Sequence, residues 1–524
     1  MAIERCDVAI IGSGAAGGVL AATLAELTDL KIVVLEKGPF LGSEGFNQRE
    51  LDMHRLLQAE QGRRTTADGA IPVRGGECVG GGTTINYALA LDPLPAVWKE
   101  WRDAYGIEGF SFDPVASDYG IAGLNMPAAL SEVKSRLGVA AAPDAWVNDN
   151  NRVFERGCRA LGIATRRFPL NIRDCLGCGY CGQGCAYDRK QSIGNTYLAD
   201  ALANGVRLIH HCEVERIEVD MRGRATGVLA TVSPTRRESR ANSAEPGPLR
   251  IQAQLVVVAA GAIATPEILY RSNHPDPHRR IGRGLVLHPA VPIIALLDHP
   301  IENYRGTPGT VYSDHFYGSD GFYLECLFSH PVYGAIVMPG YGDDHFDLLR
   351  SLPRIAGCGA MLIDSVEDAN RVEVTPAGYR IHYRLTEADR DRLRTACRIG
   401  VDVMLAAGAS EVLLPSQESI GPMRKARFRS PGDSQACREL QFVPHRTTVT
   451  SAHCQASTKM SRDPHQAVAD GRGESHFIEN LVICDSSSFP ESCGTNPMLS
   501  IMTMARYQGR RIAAEWDRRY EGRT

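Results

Sequence analysis

The chain has 524 residues, 44% of them hydrophobic and 23% charged, with a net charge of −4. That length buries a large core and predicts two or three domains. The faintly acidic balance gives no reason to expect nucleic acid or an acidic membrane surface as partner. No apolar run is long enough to span a bilayer, and Met1 to Cys6 lead directly into a strand rather than a signal peptide. Fifteen cysteines, an odd number, read as thiols in a reducing cytoplasm rather than a disulfide scaffold.

Val8-Ala9-Ile10-Ile11 is a short β-branched run suited to a buried parallel strand. It leads into Gly12-Ser13-Gly14-Ala15-Ala16-Gly17 and then a helix-forming stretch. Gly12 permits the tight turn, Gly14 lets the backbone approach a pyrophosphate, and Gly17 lets helix and strand pack closely. The N–H groups of Ala15 and Ala16 at the helix start then face the phosphates. A second strand, Lys31 to Leu35, ends at Glu36, where a carboxylate holds ribose hydroxyls in dinucleotide folds. The acid argues against NADP and leaves both NAD and FAD open.

The next motif, Arg74-Gly75-Gly76-Glu77-Cys78-Val79-Gly80-Gly81-Gly82-Thr83-Thr84-Ile85-Asn86, can lie against a flat ring or a pyrophosphate with its amides exposed. With Gly80, Gly81, Thr83 and Asn86 it resembles the early glycine loop of the glucose–methanol–choline (GMC) oxidoreductases, which are FAD enzymes. Members with covalently attached flavin carry a histidine at the position of Ile85, so the resemblance implies FAD held non-covalently. Leu255 to Ala262, including Ala260, is similar to the family's later strand–Gly–Ala–helix element. Thr265-Pro266-Glu267 reads as N-cap, first helical position and first-turn acid. Asn480 to Pro490 resembles the family's last strand, whose acid, here Asp485, lies near the FAD. A helix follows from Asn496-Pro497-Met498, its N-terminal dipole aimed at the flavin.

The fold class expected is α/β (α+β overall). A Rossmann-like FAD-binding domain is assembled from discontinuous segments, residues 1–100, 190–290 and 455–524. A substrate-binding domain, residues 101–189 and 291–454, carries an antiparallel sheet backed by helices. Within it, Arg371 to Thr375 and Tyr379 to Tyr383 alternate as a hairpin. A helix opens at the capping pair Thr386 and Asp389, with an apolar stripe of Leu393, Ala396, Ile399, Val403 and Met404. Ser233 to Arg250, rich in Arg, Ser, Glu and Pro, reads as a solvated excursion between strands.

His453 and Met460 resemble the ends of the family's His-x-x-Gly-Thr-x-x-Met segment, although Ala456 and Ser457 depart from its spacing. Asn496 falls where the family carries its second catalytic residue, His or Asn. The resemblance implies that His453 takes the hydroxyl proton of an alcohol and that Asn496 donates a hydrogen bond to the developing alkoxide. His288 is read as shaping a turn. Cys175, Cys178, Cys181 and Cys185 are spaced C-x2-C-x2-C-x3-C, a spacing open to an iron–sulfur cluster, a structural zinc or free thiols. A cluster would make a dehydrogenase feeding a redox partner; without one, oxygen can be the acceptor. Phe322 to Phe328 and Ala335 to Gly340 are expected to give apolar lining for a bulky, lipophilic alcohol. A sugar or glycoside dehydrogenase and an FAD-containing lyase without net redox chemistry are the alternatives.

Overall fold

The computed structural model describes residues 2–110, 123–328, 330–423 and 425–520. In chain order, the elements that carry the site are β1 (Val8–Ile11), α1 (Ala15–Leu27), β2 (Ile32–Leu35), β3 (Arg207–Ile209), β4 (Leu255–Val258) and α2 (Gly261–Arg271). They continue with β5 (Ala290–Leu296), β6 (Phe322–Glu325), β7 (Ile355–Leu362), α3 (Glu387–Ala406), β8 (Leu481–Ile483) and α4 (Met498–Arg519).

Strands β1, β2, β4 and β8 are buried at every position, as parallel strands covered on both faces must be. The parallel sheet they form with β3 has the order β8-β4-β1-β2-β3. Side-chain parity decides what covers each face. Val8 and Ile10 of β1 and Leu255 and Val257 of β4 pack against α1 and α4, which present Val19, Leu20, Leu499 and Met502. Ala9, Ile11, Val256 and Val258 face the other way, toward a four-stranded sheet. The chain leaves β1 for β2 on one side and β4 lies on the other, so the strand order reverses between β1 and β4. Ligands of such sheets bind outside the carboxyl ends at that reversal.

A second sheet forms the roof. It is antiparallel, with β5, β7 and β6 adjacent at its centre. The capping box of Thr386 and Asp389 opens α3, and Leu393, Ala396, Ile399, Val403 and Met404 are all buried beneath it, as the stripe predicts. They pack on Phe322, Leu324, Ala356 and Ala360, one face of the roof. The opposite face carries Tyr312, Tyr323 and Met361. The hairpin forms from Arg371–Thr375 and Gly378–His382, and the polar excursion spans 233–246 between two strands.

Three expectations are corrected. Helix α2 begins at Gly261, with Ala260 as N-cap, four residues before Thr265. Pro266, which lacks an N–H, therefore cannot bond the Ala262 carbonyl, and the Ser457 hydroxyl donates to that oxygen instead, at 2.5 Å. Residues 101–110 and 123–137, placed with the substrate part, share the core of the parallel sheet: Trp101, Phe110 and Met126 pack beside Ile11, and Val133 and Leu137 beside Val8. Residues 111–122, also placed there, lie outside the described ones. Finally, Ala335 to Gly340 does not line the site. Ile336 is exposed, and Met338 packs with Leu348 and Leu413 in a separate cluster.

Candidate active site

The glycine spacing at the start of α1 is a consequence of crowding. A Cβ on Gly17 would lie 1.9 Å from the Gly12 carbonyl oxygen, and one on Gly12 would lie 2.4 Å from Ala259 O, where φ is already +104°. Helix α1 opens with no side-chain cap and no acid in its first turn, so the N–H groups of Ala15, Ala16 and Gly17 are left for an anion. The second glycine loop closes on the first: a Cβ on Gly81 would come within 3.1 Å of Gly14 Cα. Ser13, fully buried, joins them. Its hydroxyl donates to Glu36 Oε2 at 2.7 Å and accepts from Gly80 N at 3.1 Å. Glu36 also accepts from Ser13 N and Gly38 N. Burial pushes its carboxyl above the usual range, against those hydrogen bonds.

The other expected cofactor residues stand around the same edge. Thr83 donates to Gly80 O and accepts from Ile193 N. The Asn86 amide reaches Met498 Sδ at 3.1 Å, at the first residue of α4. Asp485 follows β8 and accepts from Gly261 N at 2.8 Å, Thr265 Oγ1 at 2.7 Å and Ser487 N at 2.7 Å, which fixes the start of α2 beside Ala260. Helix α4 starts after Pro497 with no side-chain cap and no first-turn acid. Just before it, Thr495 Oγ1 and Asn496 Oδ1 are buried and, among the described residues, have no partner. Uncapped helix starts, a buried acid and orphaned polar atoms along one edge fit a phosphate-bearing cofactor such as FAD.

His453 is held by its neighbours in the chain. Thr450 pairs with Ala290, Gln455 with Val286, and Ser451 donates to Leu287 O at 2.5 Å. Ala456, Thr458 and Met460 donate to the carbonyls of Ser486, Ser487 and Ser488, which lays the histidine loop along the turn after Asp485. Its ring is partly exposed but crowded, and desolvation pushes the imidazole down to about 4. It is neutral at pH 7 and can accept a proton. Positive φ at His288 (49°) agrees with a turn, yet that residue does more. It is buried, its ring stands 5.4 Å from that of His453 and nearly perpendicular, and its Nε2 meets Ser492 Oγ at 2.6 Å. Gln455, fully buried, ties these parts together. Its amide nitrogen contacts His288 Nε2 and donates to His453 O, and its oxygen accepts from Cys493 N at 2.9 Å.

Sequence reasoning passed over Glu325, Lys190, Gln455 and Ser13. Glu325 alternates with Tyr323 on the inner roof face, and an acid in that aromatic strand was the available signal. It is 4% exposed, and burial pushes its carboxyl up to about 7. Lys190, 1% exposed, donates to the carbonyls of Thr84 at 2.7 Å, Asn86 at 2.9 Å and Cys181 at 2.7 Å.

The four spaced cysteines line one pocket with Lys190 and Tyr180. Cys175 Sγ accepts from Thr307 Oγ1 and Gly177 N, and Cys185 Sγ from Lys190 N. Among the described residues no three Cys, His, Asp or Glu side chains group closely enough to hold a metal ion. As these side chains stand, neither the cluster nor the zinc left open by the spacing is supported.

A Rossmann-like sheet with glycine loops at its reversal point, roofed by an antiparallel sheet, defines an FAD-binding oxidoreductase. The chain belongs to the GMC oxidoreductase family: the family's two profiles match residues 11–290 and 365–505. A GMC-type oxidoreductase of Mycobacterium tuberculosis is 31% identical over 96% of this chain and 75% of its own length. A long-chain-alcohol oxidase of Arabidopsis thaliana is 28% identical over 96% of this chain and 66% of its own. The fold is shared with a pyridoxine 4-oxidase from Mesorbium loti, at a TM-score of 0.66 and 17% identity over 97% of this chain and 99% of that one. No helix among the described residues is long and apolar enough to cross a membrane.

Proposed function

We propose that this protein oxidises an alcohol to a carbonyl, with His453 as the base and Asn496 as the hydrogen-bond donor to the forming alkoxide. The observation that carries this reading is Gln455, which ties the loop of a neutral, desolvated His453 to the Cys493 turn that leads through Asn496 to the uncapped start of α4. Bound non-covalently, FAD would accept the hydride from the carbinol carbon. His453 takes the hydroxyl proton, so that hydride and proton depart without a free alkoxide in solvent. Asn496 and the α4 N-terminus stabilise negative charge as it develops.

The remaining cofactor contacts are assigned to Gly12, Gly14, Ala15, Ala16, Gly17, Glu36, Gly80, Gly81, Thr83, Asn86, Ala260, Asp485, Pro497 and Met498. Their positions along one sheet edge support it. The Tyr312, Tyr323 and Met361 face of the roof, beside Leu89 and Leu91, supports a bulky, lipophilic alcohol, as does the relation to long-chain-alcohol oxidases. Fifteen unpaired thiols support a reducing, cytoplasmic setting. Oxygen or a redox partner would take the electrons, and no route is assigned through the cysteine pocket.

The test is anaerobic mixing of the FAD-loaded protein with a long-chain primary alcohol. The flavin absorbance bleaches, and His453→Ala retains FAD but loses about 100-fold or more in that rate. Bleaching by sugars alone would replace the lipophilic substrate; no bleaching by any alcohol would end the oxidation reading and leave a lyase.

A further inference from the structure

Two histidines from distant parts of the chain face each other in this site, and a single base suffices for the reaction. The rings of His288 and His453 stand 5.4 Å apart at 85°. Hydrogen bonds around His288 decide which of its nitrogens carries the proton. Gln455 Oε1 accepts from the backbone N–H of Cys493 at 2.9 Å, and Gln455 Nε2 donates to the carbonyl oxygen of His453 at 3.1 Å. The orientation of that amide is thereby fixed at both ends, and its NH2 group can only donate. The same Nε2 lies 3.1 Å from His288 Nε2, which must therefore accept and carries no proton. Ser492 agrees. Its oxygen accepts from Gly494 N at 3.1 Å and lies 2.6 Å from His288 Nε2, within reach of the serine's own proton. The opposite tautomer would set an imidazole N–H against an amide N–H and take this acceptor from the serine.

We propose that His288 is a positioning residue of this site, held by Gln455 and Ser492 as the neutral Nδ1–H tautomer, so that His453 alone of the two facing histidines takes the substrate's proton. The consequence for catalysis rests on the alcohol-oxidation reading; the tautomer itself does not. His288 is 1% exposed, and its Nδ1 has no partner among the described residues, so no carboxylate supports an imidazolium there. Burial pushes the ring well down, and His453 facing it adds to that. Asp364 accepts from the backbone N–H groups of Leu287 and His288 and from the Tyr383 hydroxyl, and leaves the ring alone. The Tyr383 phenol and the Cys454 and Cys493 thiols are pushed up by burial and are neutral at pH 7. His453, pushed down to about 4, is neutral as well.

The arrangement decides where charge forms. When the substrate's O–H bond breaks, the proton goes to His453 and a positive charge appears 5.4 Å from the His288 ring. A proton on His288 would oppose that charge and weaken the base. Two donors on its Nε2 close this route.

The experiment compares wild type with Gln455→Glu, both loaded with FAD and isotope-labelled at histidine. Nitrogen NMR should show the wild-type His288 ring, recognised by its absence in His288→Gln, as the Nδ1–H tautomer. It should not titrate from about pH 5 upward, where an ordinary histidine does. In Gln455→Glu a carboxylate replaces the donor, so His288 gains a proton on Nε2 and becomes an imidazolium. Flavin reduction by a long-chain alcohol should then fall about tenfold or more at pH 7. The rate should recover as pH rises and His288 loses that proton, whereas a merely structural defect stays slow at every pH. An Nε2–H or charged His288 in wild type overturns the proposal. So does a charged His288 in Gln455→Glu with reduction at the wild-type rate, or a rate that is slow at every pH. If Gln455→Glu does not fold, the wild-type tautomer and its titration decide. If no alcohol bleaches the wild-type flavin while His288 shows the Nδ1–H tautomer, the oxidation reading fails and the held tautomer stands.

Discussion

At the scale of the residue, burial does most of the chemistry. His453, His288, Glu325 and Asp364 are ordinary side chains whose titration is moved by desolvation, each toward its neutral form. Burial thereby lowers the charge the site carries before substrate enters, which suits a lipophilic alcohol. It also carries a stability cost that can be measured. Glu325 rises from its ordinary 4.5 to about 7 on folding. Below 4.5 both folded and unfolded forms are neutral and nothing is lost. As pH climbs from 4.5 to 7 the unfolded chain ionises while the folded one resists, so stability falls, then levels off above 7. Glutamine does not titrate. The gap in melting temperature between Glu325→Gln and wild type should therefore open between pH 4.5 and 7 in favour of the variant and stay constant above. Asp364, raised to about 6, contributes a similar fall to both proteins and cancels in the difference.

At the scale of the element, helix starts set the site. Helices α1, α2 and α4 all begin without a side-chain cap, the first two directly after parallel strands. Their orphaned N–H groups are the fold's provision for negative charge. Gly17 shows how little room there is. Gly17→Ala places a methyl 1.9 Å from the Gly12 carbonyl, and because that atom is backbone the helix itself must move. The expected outcome is a loss of FAD on desalting, with a stability cost of about 1–3 kcal/mol by thermal melting. The start of α2 was misread because Pro266 resembles a first-turn proline when only neighbours in sequence are considered. Its missing hydrogen bond is made good by Ser457, nearly two hundred residues on. The strand β6 likewise reads as uniformly apolar until its two faces are separated: Phe322 and Leu324 go to the core under α3, and Tyr323 and Glu325 to the site.

At the scale of the whole molecule, distant segments are held by buried polar ties. Gln455 links the histidine loop to His288 and to the Cys493 turn ahead of α4. Ser13 links the two glycine loops through Glu36. Lys190 is the third tie, joining Thr84 and Asn86 of the glycine loop to the cysteine segment at Cys181. Lys190→Met keeps the length of the side chain but leaves three carbonyls without their donor. It should destabilise by about 3 kcal/mol or more and loosen FAD, seen as a lower melting temperature and a larger dissociation constant in flavin fluorescence titration. A melting temperature equal to wild type would show that water replaces the ammonium at no cost.

Sequence by itself determined the parts of this protein that are written in contiguous windows. The strand–glycine–helix start with Glu36, the second glycine loop, the capping box of Thr386 and Asp389, and the α3 stripe each depend on residues within a few turns of one another. Local geometry and period are enough for these, and they carry the FAD-binding fold with them. His453 and Asn496 were legible through resemblance to a family pattern. Tertiary structure alone decided the pairings around them. His288 meets His453 and Ser492, and Lys190 reaches two loops, all across long separations. Neither desolvation nor the face a strand turns inward is a property of the residue. Both arise only when the roof sheet closes over the carboxyl edge of the parallel sheet, and that closure turns an acid in an aromatic strand into part of the site.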